Sequence, residues 1–108
     1  MPTTLNEFYR DQLGRIREQF VKHQLPDYMW QGIEDWIVRG EPPGDFLCGV
    51  IKDSLFQAAH HADPTNKNLL KAYAGFFYNA MPVGSHGSVK RMKEWKDKRG
   101  FLGIQKSS

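Results

Sequence analysis

The chain has 108 residues, 40% apolar and 13% aromatic, which suffices for one buried core and excludes wholesale disorder. A single cysteine, Cys48, excludes an internal disulfide, and no apolar run approaches the roughly 20 residues that span a bilayer. The formal charge of +3 is unevenly placed: residues 88–108 hold seven of the fifteen lysines and arginines against Glu94 and Asp97, a net +5, whereas the first 87 residues carry eight basic and ten acidic side chains.

The opening MPTTLNEFYRDQLG has no basic stretch followed by an apolar run, so no signal peptide is expected and a reducing cytoplasm is the expected setting. Leu5, Phe8, Tyr9, Leu13, Ile16 and Phe20 recur at helical spacing, which predicts a first helix capped by Thr4 with Glu7 as the reciprocal partner. It should end at His23–Leu25, because Pro26 biases the preceding residue away from the helical region. Pro26 suits the first turn of a second helix with Met29, Ile33, Trp36 and Ile37 facing inward and Tyr28 alongside; Gly40 is its natural terminator.

After the rigid Glu41-Pro42-Pro43-Gly44 turn, Asp45 is expected to cap a third helix. Its stripe is Phe46, Leu47, Val50, Ile51, Leu55, Ala58, Ala59 and Ala62, the most apolar in the chain. Asp63-Pro64 opens a fourth helix with Leu69, Leu70, Tyr73, Phe76, Phe77 and Ala80 inside, closed at Met81-Pro82. Phe46, Val50, Leu55, Leu70, Tyr73 and Phe77 are the expected shared core. The loop Val83–Gly87 then leads to Ser88, which caps a short basic helix clipped to the body by Val89, Met92 and Trp95. Gly100 ends it, leaving an apolar tail, Phe101-Leu102-Gly103-Ile104, and a frayed end over Gln105–Ser108. The expected fold is all-α: a compact bundle of four main helices plus the basic fifth. One domain covers residues 1–108, divided into an N-terminal helix (1–24), core helices (25–82), the basic helix (88–99) and a tail (100–108).

Residues 25–95 resemble a group of small all-helical accessory proteins encoded by tailed bacteriophages and prophages. Three stretches carry the resemblance: the helix from Pro26 into Arg39-Gly40-Glu41-Pro42-Pro43-Gly44-Asp45-Phe46-Leu47, the Ala62-Asp63-Pro64-Thr65-Asn66 cap, and Tyr78-Asn79-Ala80-Met81-Pro82 leading to Gly87-Ser88. It implies a small viral protein acting in the cytoplasm of a bacterial host, often by binding and blocking a host or defence machine, and it carries over no catalytic residue.

Among candidate sites, His60 and His61 are adjacent and so point about 100° apart on a helix, a poor arrangement for one metal ion. Cys48 sits among apolar neighbours with no local base and reads as a small buried hydrophobe. No nucleophile–base or carboxylate pair stands at suggestive spacing, so no enzyme, metal or cofactor is expected. Gly87 and Ser88, before a helix, form a weak anion-binding candidate without the lysine or spacing of a phosphate loop. Trp36 reads as core. Trp30, nearer the opposite face, is a candidate interface anchor, although packing against the first helix is the simpler role. Trp95 reads as the clip of the basic helix rather than a base-stacking group.

The scarcity of acids beside Lys90, Arg91, Lys93, Lys96, Lys98 and Arg99 makes these six the expected contact surface for something acidic. The leading expectation is a non-enzymatic, phage-derived binding protein that engages and inhibits a bacterial host or defence complex, in the manner of an anti-CRISPR. Mimicry of DNA is disfavoured by the basic charge. The alternative is phosphate-dominated nucleic-acid or nucleotide binding through the same cations. Oligomeric state is left open.

Overall fold

The computed structural model of the protein describes residues 4–107; residues 1–3 and 108 lie outside it. The chain enters helix α1 (Glu7–Lys22) through Asn6, whose side chain accepts the Tyr9 N–H at 3.0 Å. Asn6 therefore takes the role expected of Thr4, a substitution that costs nothing because asparagine caps at least as well. The Thr4 carbonyl and the Asn6 N–H are instead both bound by the side chain of Gln105, at 2.9 and 2.8 Å. On α1, Ile16 and Phe20 are buried as their spacing predicts, but Phe8 is exposed, with its ring edge to face with Tyr9.

Pro26 precedes a 3₁₀ turn, Asp27–Met29, which runs into α2 (Trp30–Arg39). Ile33, Trp36 and Ile37 are buried, whereas Tyr28 stands in solvent with its hydroxyl donating to Asp63 Oδ2 at 2.6 Å. Gly40 terminates α2 at φ +68°, where its left-handed backbone returns N–H groups to the last carbonyls.

The expected single helix from Asp45 to Ala62 is two helices, α3 (Asp45–Ile51) and α4 (Leu55–His61). Asp53 turns the chain at φ +61°, and Ser54 opens α4 by accepting the Gln57 N–H at 3.3 Å. The two short helices pack backbone to backbone, since a Cβ at Gly49 would stand 2.5 Å from the Ala58 nitrogen. Asp45 lies in the first turn of α3 rather than capping it; Gly44 occupies the cap position. The fold-back also turns Leu55 outward, so that it is 67% exposed instead of joining the core.

The expected fourth helix is divided as well. Asp63 caps the single turn α5 (Pro64–Lys67) at 2.7 Å, as its cap-then-proline order predicts. Asn66 then turns inward to accept the Tyr73 hydroxyl at 2.6 Å, and α6 (Leu70–Ala80) starts afresh. Tyr73, Phe76 and Phe77 are buried on α6, with Leu70 only partly so. Ser88 caps α7 (Val89–Lys98) as expected, accepting the Arg91 N–H at 3.1 Å.

The expected apolar tail is a helix, α8 (Gly100–Ser107), and it reaches through the segment expected to fray; position 108 lies outside the described residues. Arg99 and Gly100 are both left-handed, at φ +62°, which reverses the chain and lays α8 on α2. Here glycine is required twice over: a Cβ at Gly100 would stand 2.5 Å from the Ile37 carbonyl oxygen. Phe101 is buried between Tyr9 and Trp95, at ring distances of 4.7 and 5.8 Å. The fold is all-α, with eight helices among the described residues in place of the expected four and one. None of them is long and apolar enough to cross a membrane.

Candidate binding surface

The basic helix is mounted on the core by two tryptophans in series. Trp95, 4% exposed, donates its indole N–H to the Trp36 carbonyl at 2.8 Å. Trp36, fully buried, donates its own to the Ser85 carbonyl at 2.9 Å. One indole pins α7 and the other pins the loop before it, so both are fixed to α2. Met92 packs beside Trp95, but Val89 is exposed and takes no part in the clip.

On this mount Lys90, Arg91, Lys93, Lys96, Lys98 and Arg99 are all exposed. Lys93 pairs with Asp97 at 2.9 Å, and this hydrogen bond and charge push the lysine above its ordinary range. Helical spacing sets Arg91 and Lys98 on one flank of α7 and Lys93 with Lys96 on the other, and the strip between them carries Glu94, Lys90 and Asp97. The surface is therefore two basic flanks joined by a strip of mixed charge, in which Lys90 stands between Glu94 and Asp97.

The weak anion candidate is already occupied by the fold. The Gly87 N–H donates to the Ile51 carbonyl at 2.8 Å, strapping the loop to α3, and the Ser88 hydroxyl serves as the cap. Trp30 lies elsewhere. It stands at the start of α2, about 13 Å along the helix from Arg39 by rise alone, whereas α7 meets the α2 C-terminus at Gly40. Its half-buried ring contacts Phe20 at 5.2 Å and carries the Arg17 guanidinium at 5.1 Å, itself held by Asp27 at 2.8 Å. Trp30 thus packs on α1, the simpler of the two roles read from sequence.

The residues weighed for metal or thiol chemistry are placed with ordinary partners. His60 and His61 meet edge to face at 4.9 Å, and the His61 Nδ1 stands 3.9 Å from Asp45 Oδ2. The Cys48 thiol donates to the Pro43 carbonyl at 3.1 Å, and burial pushes its pKa up, away from the reactive thiolate. At the Tyr28–Asp63 contact the short hydrogen bond raises the phenol and, with the Asn66 N–H, lowers the carboxyl.

Sequence reasoning missed a cleft of about 400 Å³ between the α3–α4 hairpin and α6, closed at one end by the 82–88 loop. Val50, Leu70, Ala74 and Phe77 line it, and the exposed Leu55 and Tyr78 form its lips. Its polar groups, Asp53, Ser54 and His86, gather at the loop end. His86 stands edge-on to Phe77 at 5.7 Å. Burial lowers its pKa below the ordinary 6.5, the Arg91 charge lowers it further, and Asp53 opposes both. The only sequence signal for this cleft was the Ser54-x-x-Gln57 cap that divides α3 from α4.

Compared with known proteins, the chain matches no family model, no curated protein and no solved structure.

Proposed function

We propose that the protein is a non-enzymatic binding protein whose α7 surface engages an acidic face of a bacterial protein complex. One observation carries this reading. Lys90, Arg91, Lys96, Lys98 and Arg99 are held out by a helix locked through two buried indole hydrogen bonds, and the described residues give these five no ion pair. A solvated charged face needs no such mount, whereas a preorganised cationic surface lowers the ordering cost of association and steers encounter. The resemblance to phage accessory proteins supports a host or defence complex, of the CRISPR effector kind, as the partner and inhibition as the result.

Direct binding of nucleic acid is less favoured, because the strip between the two basic flanks, where a phosphate backbone would track, sets two acids, Glu94 and Asp97, beside the single cation Lys90. The test is capture of partners from a bacterial lysate by the immobilised chain, with and without nuclease. A discrete protein complex retained after nuclease supports the proposal. Loss of every partner on nuclease treatment overturns it in favour of nucleic-acid binding.

A further inference from the structure

We infer that the cleft beside the start of α7 receives an apolar side chain from a short acidic segment of the partner protein. This rests on the reading of α7 as a contact surface and names what meets its N-terminal end.

The cleft has the size and lining of a site rather than a packing defect. Its 400 Å³ falls at the low end of the ~300–1,000 Å³ typical of ligand pockets. Phe77, 4% exposed, forms part of a floor that is apolar throughout, while Leu55 and Tyr78 at the lips are 67% and 86% exposed. Side chains of this kind cost free energy in water and mark contact sites when they gather around a concavity. Two sides of the cleft are firmly built: Gly87 is tied to Ile51, and the α3–α4 hairpin packs backbone to backbone at Gly49.

Charge selects the occupant. Arg91 lies along the Gly87 wall, its Cδ and Nη1 3.5 and 3.6 Å from where a side chain at Gly87 would begin. On α6, Lys71 shares a helical stripe with Ala74 and Tyr78, which places a second cation at the far wall. Asp53 is the one acid among the lining residues, and burial keeps His86 neutral near pH 7. An apolar anchor flanked by carboxylates would fill the floor and meet Arg91 or Lys71 on the way in. A second copy of this chain across a two-fold axis would instead bring two net-positive ends together. A nucleic acid would leave the apolar floor empty and set phosphates against Asp53.

The probe is a synthetic amphipathic helix of glutamate, leucine and tryptophan, labelled for fluorescence anisotropy, with its lysine-for-glutamate counterpart as control. The acidic peptide should bind the whole chain about ten-fold or more tighter than the basic one. Ala74→Trp, which adds an indole from an exposed position into the cleft, should weaken binding about ten-fold, and Arg91→Glu should do the same by reversing the rim charge. Leu55→Asp, at an exposed lip, serves if Ala74→Trp fails to fold. No binding of the acidic peptide, equal affinity for both peptides, or unchanged affinity in folded cleft variants overturns the inference. The probe is not the natural partner, so this failure leaves nuclease-resistant capture standing, and a failed capture leaves the peptide affinity measurable.

Discussion

Gly49→Ala separates the folded-back α3–α4 hairpin from a continuous helix by the sign of its effect. In one unbroken helix residues 49 and 58 would lie about 13 Å apart along the axis, and replacing an interior glycine by alanine would stabilise by up to ~1 kcal/mol. In the observed hairpin the new methyl meets the Ala58 nitrogen at 2.5 Å, the Ala58 Cα at 2.9 Å and the Gln57 carbonyl carbon at 3.1 Å. Ordinary contact begins near 3.4 Å, so the helices must part by about 0.9 Å, and every opposing atom is backbone that cannot rotate aside. Overpacking of this kind costs ~1–3 kcal/mol, and rigid opposing atoms put it near the upper figure. Subtracting the propensity gain leaves a net loss of ~2 kcal/mol, or about 8 °C in Tm at ~4 °C per kcal/mol for a domain of this size. Thermal and urea melts followed by far-ultraviolet circular dichroism read it directly. A variant as stable as the parent, or more so, refutes the hairpin and restores the single helix.

Trp36→Phe keeps most of the buried ring but strands the Ser85 carbonyl, so urea melts should show a loss of ~1–3 kcal/mol. Trp95→Phe should cost less, because the Trp36 carbonyl that it abandons still accepts the Gly40 N–H at 3.0 Å. The His86 imidazole has a folded-state pKa below its unfolded value of 6.5, so the folded state binds fewer protons and stability falls as pH drops from 6.5 through the folded pKa. Arg91 adds to this loss and Asp53 reduces it; His86→Gln should flatten the pH dependence of Tm in that window, and an unchanged slope would remove His86 as its source.

The parts legible in the sequence were those fixed by local chemistry. Asp63 and Ser88 cap where a short polar side chain precedes an apolar run, and Gly40 takes its positive φ where the stripe of α2 ends. Trp36 and Trp95 were placed inward by spacing alone. The division of α3 from α4 was obscured because the apolar stripe continues in phase through residues 52–54. The Ser54 cap and the left-handed Asp53 override that periodicity. Helix α8 was hidden for the opposite reason: Gly100 read as the end of the basic helix, yet it is there to let backbone meet backbone beneath Ile37. The cations of α7 were visible as composition, but their division into two flanks required the helix orientation that Trp95 fixes. Apart from the Ser54 cap the cleft had no local signature, since its shape depends on non-local contacts such as Gly49 with Ala58 and Gly87 with Ile51.

The central claim, that α7 is a contact surface, is tested most directly by Lys90→Glu with Lys96→Glu, two exposed cations outside the Lys93–Asp97 pair. Binding kinetics against the nuclease-resistant partner should show a slower association rate and a weaker salt dependence, while Tm stays within the range of a ~0.5 kcal/mol change. Unchanged association and salt dependence in a folded double variant would contradict the account and reduce the basic end to a solvated surface.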